Sequence, residues 1–356
     1  MFWLIFRSII YILIFASIWY GGQFYIAQEL SKGLQKTSPN TVFVDGQVTK
    51  NNLASANIQN GSFTYPFETI VQAIESAQKN GQRDIIIKSG TYEEILVLPE
   101  DITLFGEGEV IIKQNPESLI NTITTNNNVN LLNITVSGGK VAVLVPYNTS
   151  AKFVNTTFSD ASDFGVKMEN KERPRAQKDE DGKEIAVYEL FDKTDEELEN
   201  LPLVRFNNVI ITKNRDQGMY LRDGHVEIID SHIIENGEEG IDLHPHMYVK
   251  ITNTESSNNG ESGLETEIYD NIVIIENSTF DNNIKNGIAL ITSNGVGDIT
   301  VSNSTITNNK RFGIRCAVHK NKPKKPRPFF QSVITKSNNN ISNNEEGDIS
   351  ERCLTF

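Results

Sequence analysis

Two cysteines in 356 residues leave this chain without a disulfide framework and without a thiolate metal cluster. Positive charge is also in short supply. Lysine and arginine total 33 against 46 aspartates and glutamates, a formal net charge of −13. A nucleic-acid-binding face needs a basic surplus, so that class of partner is excluded, and a polyanion would need a cation or a local basic patch. Histidine is sparse, with five in the chain, yet His225, His232, His244 and His246 fall within 22 residues. Long apolar runs are missing everywhere except the beginning. After Arg7, the stretch Ser8 to Ala27 is apolar or neutral throughout. About 20 such residues can cross a bilayer, and Ser8–Tyr20 also has the length of a signal-peptide core. No clear Ala-x-Ala cleavage site and no lipobox cysteine accompany it. Residues 1–27 are therefore expected to be a transmembrane signal anchor or a signal peptide. The expected location is the cell membrane, single-pass, with the remainder outside the cytoplasm; secretion after cleavage is the alternative. Lys32 and Lys36 on the far side weaken the charge rule for orientation, so export rests on the apolar segment itself.

What the chain does have is a repeat. An asparagine, three variable residues, a glycine and a short apolar strand recur as Asn214–Gly218, Asn236–Gly240, Asn259–Gly263, Asn283–Gly287, Asn309–Gly313 and Asn343–Gly347. The first five glycines are 22, 23, 24 and 26 residues apart. A period in the low twenties means stacked coils, each of which buries its apolar face only against its neighbours. Parallel strands stack like on like, so the asparagines should form a structural column, tolerant of left-handed turns and able to hydrogen-bond along the stack. Asn277 and Asn303 lie in Asn-x-Thr triplets and are read as part of such columns rather than as glycosylation signals.

In chain order, 28–40 reads as a polar linker and 41–356 as one solenoid domain. Phe67, Ile70, Val71, Ile74 and Ala77 have helical spacing, which predicts an amphipathic helix over 67–80 between Pro66 and Gly81. Asp84-Ile-Ile-Ile-Lys88 reads as a buried strand. Two stretches break the period: the charged insertion 169–200, where Thr194-Asp-Glu-Glu197 predicts a boxed helix start, and the basic, proline-rich insertion 319–328. Removing about 30 residues from the first restores the Gly165–Gly218 gap to one coil.

The run Gly61-Ser, Pro66-Phe67, Thr69-Ile70, Ala73-Ile74, then Ile85-Ile-Ile, Gly90-Thr-Tyr-Glu and Ile102-Thr-Leu-Phe-Gly106 resembles the head of right-handed parallel β-helix proteins of the pectin lyase-like superfamily. The resemblance covers about 41–351. It implies an all-β, single-stranded right-handed parallel β-helix of ~22–26-residue coils, with the amphipathic helix capping its N-terminal end. It further implies a groove on one outer sheet, where Ca²⁺ or arginine neutralises a uronate and a base removes the adjacent proton. Asp242-Leu-His-Pro-His246 partly matches the Asp-Pro-His-Asp signature of β-helix alginate epimerases. Asp223-Gly-His225 partly matches the Gly-His-Gly of polygalacturonases, whose Asn-Thr-Asp, paired Asp and Arg-Ile-Lys elements are absent. The Gly-x-x-Asp-Phe-Ile-Phe-Gly of pectin methylesterases is absent too. No catalytic residue carries over from a named family.

Strand alternation sorts the residues after each glycine. Positions one and three are mostly apolar (Met219/Leu221, Ile241/Leu243, Leu264/Thr266, Ile288/Leu290, Ile314/Cys316) and face the core. Cys316 is thus expected as a buried thiol, with a bridge from Cys353 tying down the last coil as the open alternative. Position two then faces outward as Lys167, Tyr220, Asp242, Glu265, Ala289 and Arg315, and position four as Glu169, Arg222, His244, Glu267, Ile291 and Ala317. The candidate catalytic residues are Asp242, Glu265, Arg222 and His244, because two carboxylates one strand apart suit retaining glycoside hydrolysis and a basic group beside them suits proton abstraction. Candidate substrate contacts are Tyr220, Asp223, His225, His246, Glu267 and Arg315. Asp242, Glu265 and Glu267 are the candidate oxygen ligands for Ca²⁺; a transition-metal site from His244, His246 and Asp242 is disfavoured by the proline between the histidines. The two insertions are expected to rise as walls at the ends of this patch. The expected role is binding or processing of extracellular polysaccharide, by a lyase, epimerase or glycoside hydrolase if catalytic. A non-catalytic surface solenoid for adhesion or envelope structure is the alternative, since solvated charge is ordinary on an outer sheet face.

Overall fold

A computed structural model of the chain describes residues 40–47, 59–169, 177–178, 184–185, 190, 193–292, 297–318 and 338–354. The apolar segment 2–27, the linker up to residue 39 and the insertion 319–328 lie outside the described residues. Among the described residues no helix is long and apolar enough to cross a membrane.

The repeat resolves into parallel coils. An 18-stranded sheet runs from Thr41–Val44 to Asn340–Ser342, and a ten-stranded sheet from Leu96–Val97 to Gly347–Ile349. The period-2 pattern drives this arrangement: Ile241, Leu243, Leu264 and Ile288 are buried while the residues between them on the first two coils are half-exposed. One continuous apolar core fills the interior, with Phe153 stacked on Phe206 at 4.9 Å between ring centroids.

Helix α1 spans Ile70–Asn80, three residues shorter at its start than expected. Phe67 bridges to Val44 instead of joining the helix, and Thr69 caps it in a reciprocal box with Gln72. The Glu94 carboxylate accepts from the Ile70 and Val71 amides, both at 2.9 Å, placing negative charge at the positive end of the helix. Ile70, Ala73, Ile74 and Ala77 are buried in the same cluster as Val42 and Ile85 of the first strands; Val71, expected on that face, is exposed.

The asparagine column is real and continuous. Each side-chain carbonyl accepts from both the backbone N–H and the amide of the asparagine one coil earlier, as in Asn236 to Asn259 (3.1 Å each) and Asn283 to Asn309 (3.1 and 3.0 Å). Its last member corrects the sequence frame. Asn309 bonds to Asn344, not Asn343, and Gly347 pairs with Phe312. The final repeat therefore runs Asn344–Asp348, and Asn343 is the left-handed residue just before it, with φ 62°. Asn277 and Asn303 likewise take positive φ at the bend between strands. The repeat glycines are required by crowding: a β-carbon on Gly240 would sit 2.7 Å from the Asn259 amide and 2.8 Å from the Gly263 carbonyl.

Cys316 and Cys353 form a disulfide, with Cα atoms 5.2 Å apart. The bond holds the short helix Glu351–Leu354 against the Phe312–Val318 strand, so Cys316 is not a free thiol. The described end of the 169–200 insertion packs on the 18-stranded sheet. Helix α2, Asp195–Glu199, begins with the Thr194/Glu197 capping box, and Leu190 and Leu198 pack with Tyr248 on the outside of that sheet. Apolar Ile272 and Ile274 on the same face extend the contact.

Candidate functional site

Strand register puts Lys167, Tyr220, Asp242, Glu265, Ala289 and Arg315 in one outward column of the ten-stranded sheet. Leu144, Thr124 and Val97 continue it toward the N-terminus. Consecutive members are about 4.8 Å apart along the stack. At the Lys167 end the column opens into a hollow of about 380 Å³ lined by Thr124, Lys140, Leu144, Pro146, Tyr147 and Lys167.

The centre is tied together by side chains from successive coils. His244 Nε2 lies 3.0 Å from Asp242 Oδ2, and its ring sits 4.3 Å from that of Tyr220. Lys167 Nζ is 5.1 Å from the Tyr220 ring centroid and 2.8 Å from Glu169 Oε2. Glu265 is half-buried beside Asp242. Burial pushes its pKa up to about 7, the Asp242 charge pushes the same way, and Lys285 and Arg315 oppose. A carboxyl that titrates near neutrality beside a second carboxylate can deliver and accept a proton.

Sequence reading missed a second layer of this cluster. Glu239 and Glu261 sit in the turns just before the repeat glycines. Glu239 is buried, which raises its pKa, and it donates a hydrogen bond to Glu261, whose pKa is lowered chiefly by that bond and further by Lys285. Lys285 forms an ion pair with Glu261. The available signal was the Glu238-Glu239 doublet immediately before Gly240, which becomes meaningful only once the coils are stacked.

The remaining candidates separate. Arg222, one residue past the Met219–Leu221 strand, and Glu267, on the Leu264–Ile268 strand, are half-buried; Glu267 pairs in register with Ile291, so the second column turns apolar there. Asp223 and His246 occupy the left-handed bends between the sheets, at φ 54° and 63°. Asp223 is buried, and His246 Nδ1 contacts the buried Asp270 at 2.9 Å. Asp270 also accepts the Leu190 amide at 3.0 and 3.1 Å, pinning the insertion. His225 lies on the other sheet, in register with Leu203 and Tyr248 and 1% exposed. Asp223, His225 and His246 therefore line a small cavity near Leu190, not the outward column. The reason is the bend: Asp223 turns the chain in one residue, and Gly224 already begins the next strand. Among the described residues, one group brings three potential metal-ligand atoms within 4.8 Å of one another: Glu199, His225 and Glu227.

The family described as a right handed beta helix region matches residues 198–350. The crystal structure of pectate lyase Pel9A superposes with a TM-score of 0.55 at 14% identity, over 80% of this chain and 78% of that one. The chain folds as a right-handed parallel β-helix. Other β-helix structures are similar at lower scores. The A-module of the Azotobacter vinelandii mannuronan C-5 epimerase AlgE4 has 14% identity and a TM-score of 0.43, covering 77% of this chain and 73% of that one. The catalytic domain of a GH87 α-1,3-glucanase has 14% identity and a TM-score of 0.43, covering 80% and 65%. Those proteins are enzymes named for polysaccharides; the likeness to this β-helix is one of fold. No curated protein sequence matches the chain.

Proposed function

We propose that this β-helix processes polysaccharide outside the cytoplasm, on the outer face of its ten-stranded sheet. The observation that carries the reading is Glu265, titrating near 7 beside Asp242 in the middle of a column of outward side chains. Glu265 is the proton donor and acceptor. Asp242, oriented by His244, is the second carboxylate. Tyr220 offers a ring for sugar stacking, and Lys167 and Arg315 lie two coils away on either side, where they would bind anionic groups of a chain laid along the column. The hollow beside Lys167 gives that chain room to extend. Whether the bond is broken by hydrolysis or by elimination depends on the glycan. Residues 2–27 act as signal anchor or cleaved signal in this reading, and the Cys316–Cys353 bond supports an oxidising compartment.

A second reading, a non-catalytic surface solenoid, is favoured by one observation: Glu239, Glu261 and Lys285 satisfy each other, as ordinary stacked polar residues do. A panel of uronic-acid and neutral polysaccharides, with and without Ca²⁺, separates the two. Processing predicts unsaturated products or new reducing ends with the native protein and their loss in Glu265→Gln. Identical behaviour of native and variant protein on every substrate, with no glycan binding, leaves the solenoid reading.

A further inference from the structure

We propose that Glu199, His225 and Glu227 form a divalent transition-metal site that fastens helix α2 of the insertion to the 18-stranded sheet. Their ligand atoms lie within 4.8 Å of one another. Glu199 comes from the insertion, while His225 and Glu227 are outward residues two apart on the Gly224–Ile229 strand.

The independent pointer is His225. It is 1% exposed, and neither ring nitrogen has a hydrogen-bond partner. The Leu201 main chain lies beside the ring without completing a hydrogen bond to it. Buried imidazole nitrogens without partners are rare because the lost hydration is not replaced.

The carboxylates are already oriented, as metal-binding carboxylates commonly are. Tyr248 and Lys250 both donate to Oε1 of Glu199, and Arg205 donates to Oε2 of Glu227, so each carboxylate keeps a second oxygen. Tyr248 also stacks on His225 at 4.6 Å and fixes the plane of the ring. One imidazole nitrogen with two carboxylate oxygens, and room for solvent on the exposed Glu199 side, suits Zn²⁺ better than Ca²⁺. The inference is independent of the polysaccharide reading, which uses the opposite sheet.

Chelator-treated full-length protein titrated with Zn²⁺ by calorimetry tests it. The expected result is uptake of one equivalent, a rise in melting temperature, and slower proteolysis of the 169–200 insertion. Glu199→Gln alters an exposed residue and should leave the apo circular dichroism unchanged while weakening Zn²⁺ at least about tenfold. His225→Ala should do the same, and His244→Ala should not. The proposal is overturned by no stoichiometric uptake, by uptake unchanged in His225→Ala and Glu199→Gln, or by uptake lost only in His244→Ala.

Discussion

Asp242 and Glu265 hold the same position on consecutive coils, and the charge of the first helps keep the second protonated into the neutral range. On the proposed function, replacing either by its amide removes the proton transfer. Glu265→Gln and Asp242→Asn should each lower turnover about 10²–10⁴-fold with little change in glycan affinity. In the pH profile of the native enzyme the Glu265 limb should fall near pH 7.

The same shift has a thermodynamic sign. Glu265 is raised from 4.5 to about 7 in the folded state, so between those values the folded protein binds more protons than the unfolded one. Stability from this group is present below about pH 4.5 and is lost as pH rises through about 7. Glu265→Gln should therefore be more stable than native protein at pH 8, by on the order of 2 kcal/mol after allowing for solvent screening, and so melt higher, with the gap closing toward pH 5. Parallel melting curves across that range check it.

The frame of the last coil can be tested by two adjacent substitutions. Asn344→Ala removes the buried acceptor of both the Asn309 amide and the Asn309 backbone N–H. A loss of roughly 2–4 kcal/mol in urea unfolding is expected. Asn343→Gly keeps the left-handed conformation and should be close to neutral.

Reduction of the Cys316–Cys353 bond opens a loop with 37 residues of sequence separation. The chain-entropy relation gives a loss of roughly 3–4 kcal/mol. Melting in dithiothreitol and the Cys353→Ser variant should agree, with unfolding starting in the last coil by hydrogen exchange.

Asp270 joins His246 to the Leu190 amide. Asp270→Asn keeps the left-handed bend but removes the charge and one acceptor. The expected outcome is faster protease cleavage within 169–200, with a loss on the order of 1–3 kcal/mol. Unchanged cleavage would show that α2 is held in place without the Asp270–Leu190 contact.

The column from Lys167 to Arg315 was legible because two signals fixed it at once. The glycine spacing set which coils align, and the apolar residues on either side of Asp242 and Glu265 set which way those two point. Where one signal was missing, the reading slipped. Asn343 and Gly347 imitate the motif, and only the hydrogen bond from Asn309 reveals Asn344 as the true member. Asp223-Gly224-His225 looks like a loop, yet a single left-handed residue sends His225 to a different sheet. The docking of Leu190 and α2 was hidden because their anchors, Asp270 and Tyr248, are 80 and 58 residues from Leu190 and contribute nothing to local pattern. Glu239 and Glu261 were passed over because turn residues carry no alternation.

The asparagine column runs in one direction: from Asn214 to Asn344, every amide donates toward the next coil. The asparagine column would therefore stay unbroken if one coil followed another out of turn, provided each brings its own asparagine and glycine. The natural unit of change in this protein is a whole coil rather than a residue. Excising 259–282 would let Asn236 donate to Asn283, take Glu261 and Glu265 away together, and leave a shorter protein whose outward column reads Asp242, Ala289, Arg315.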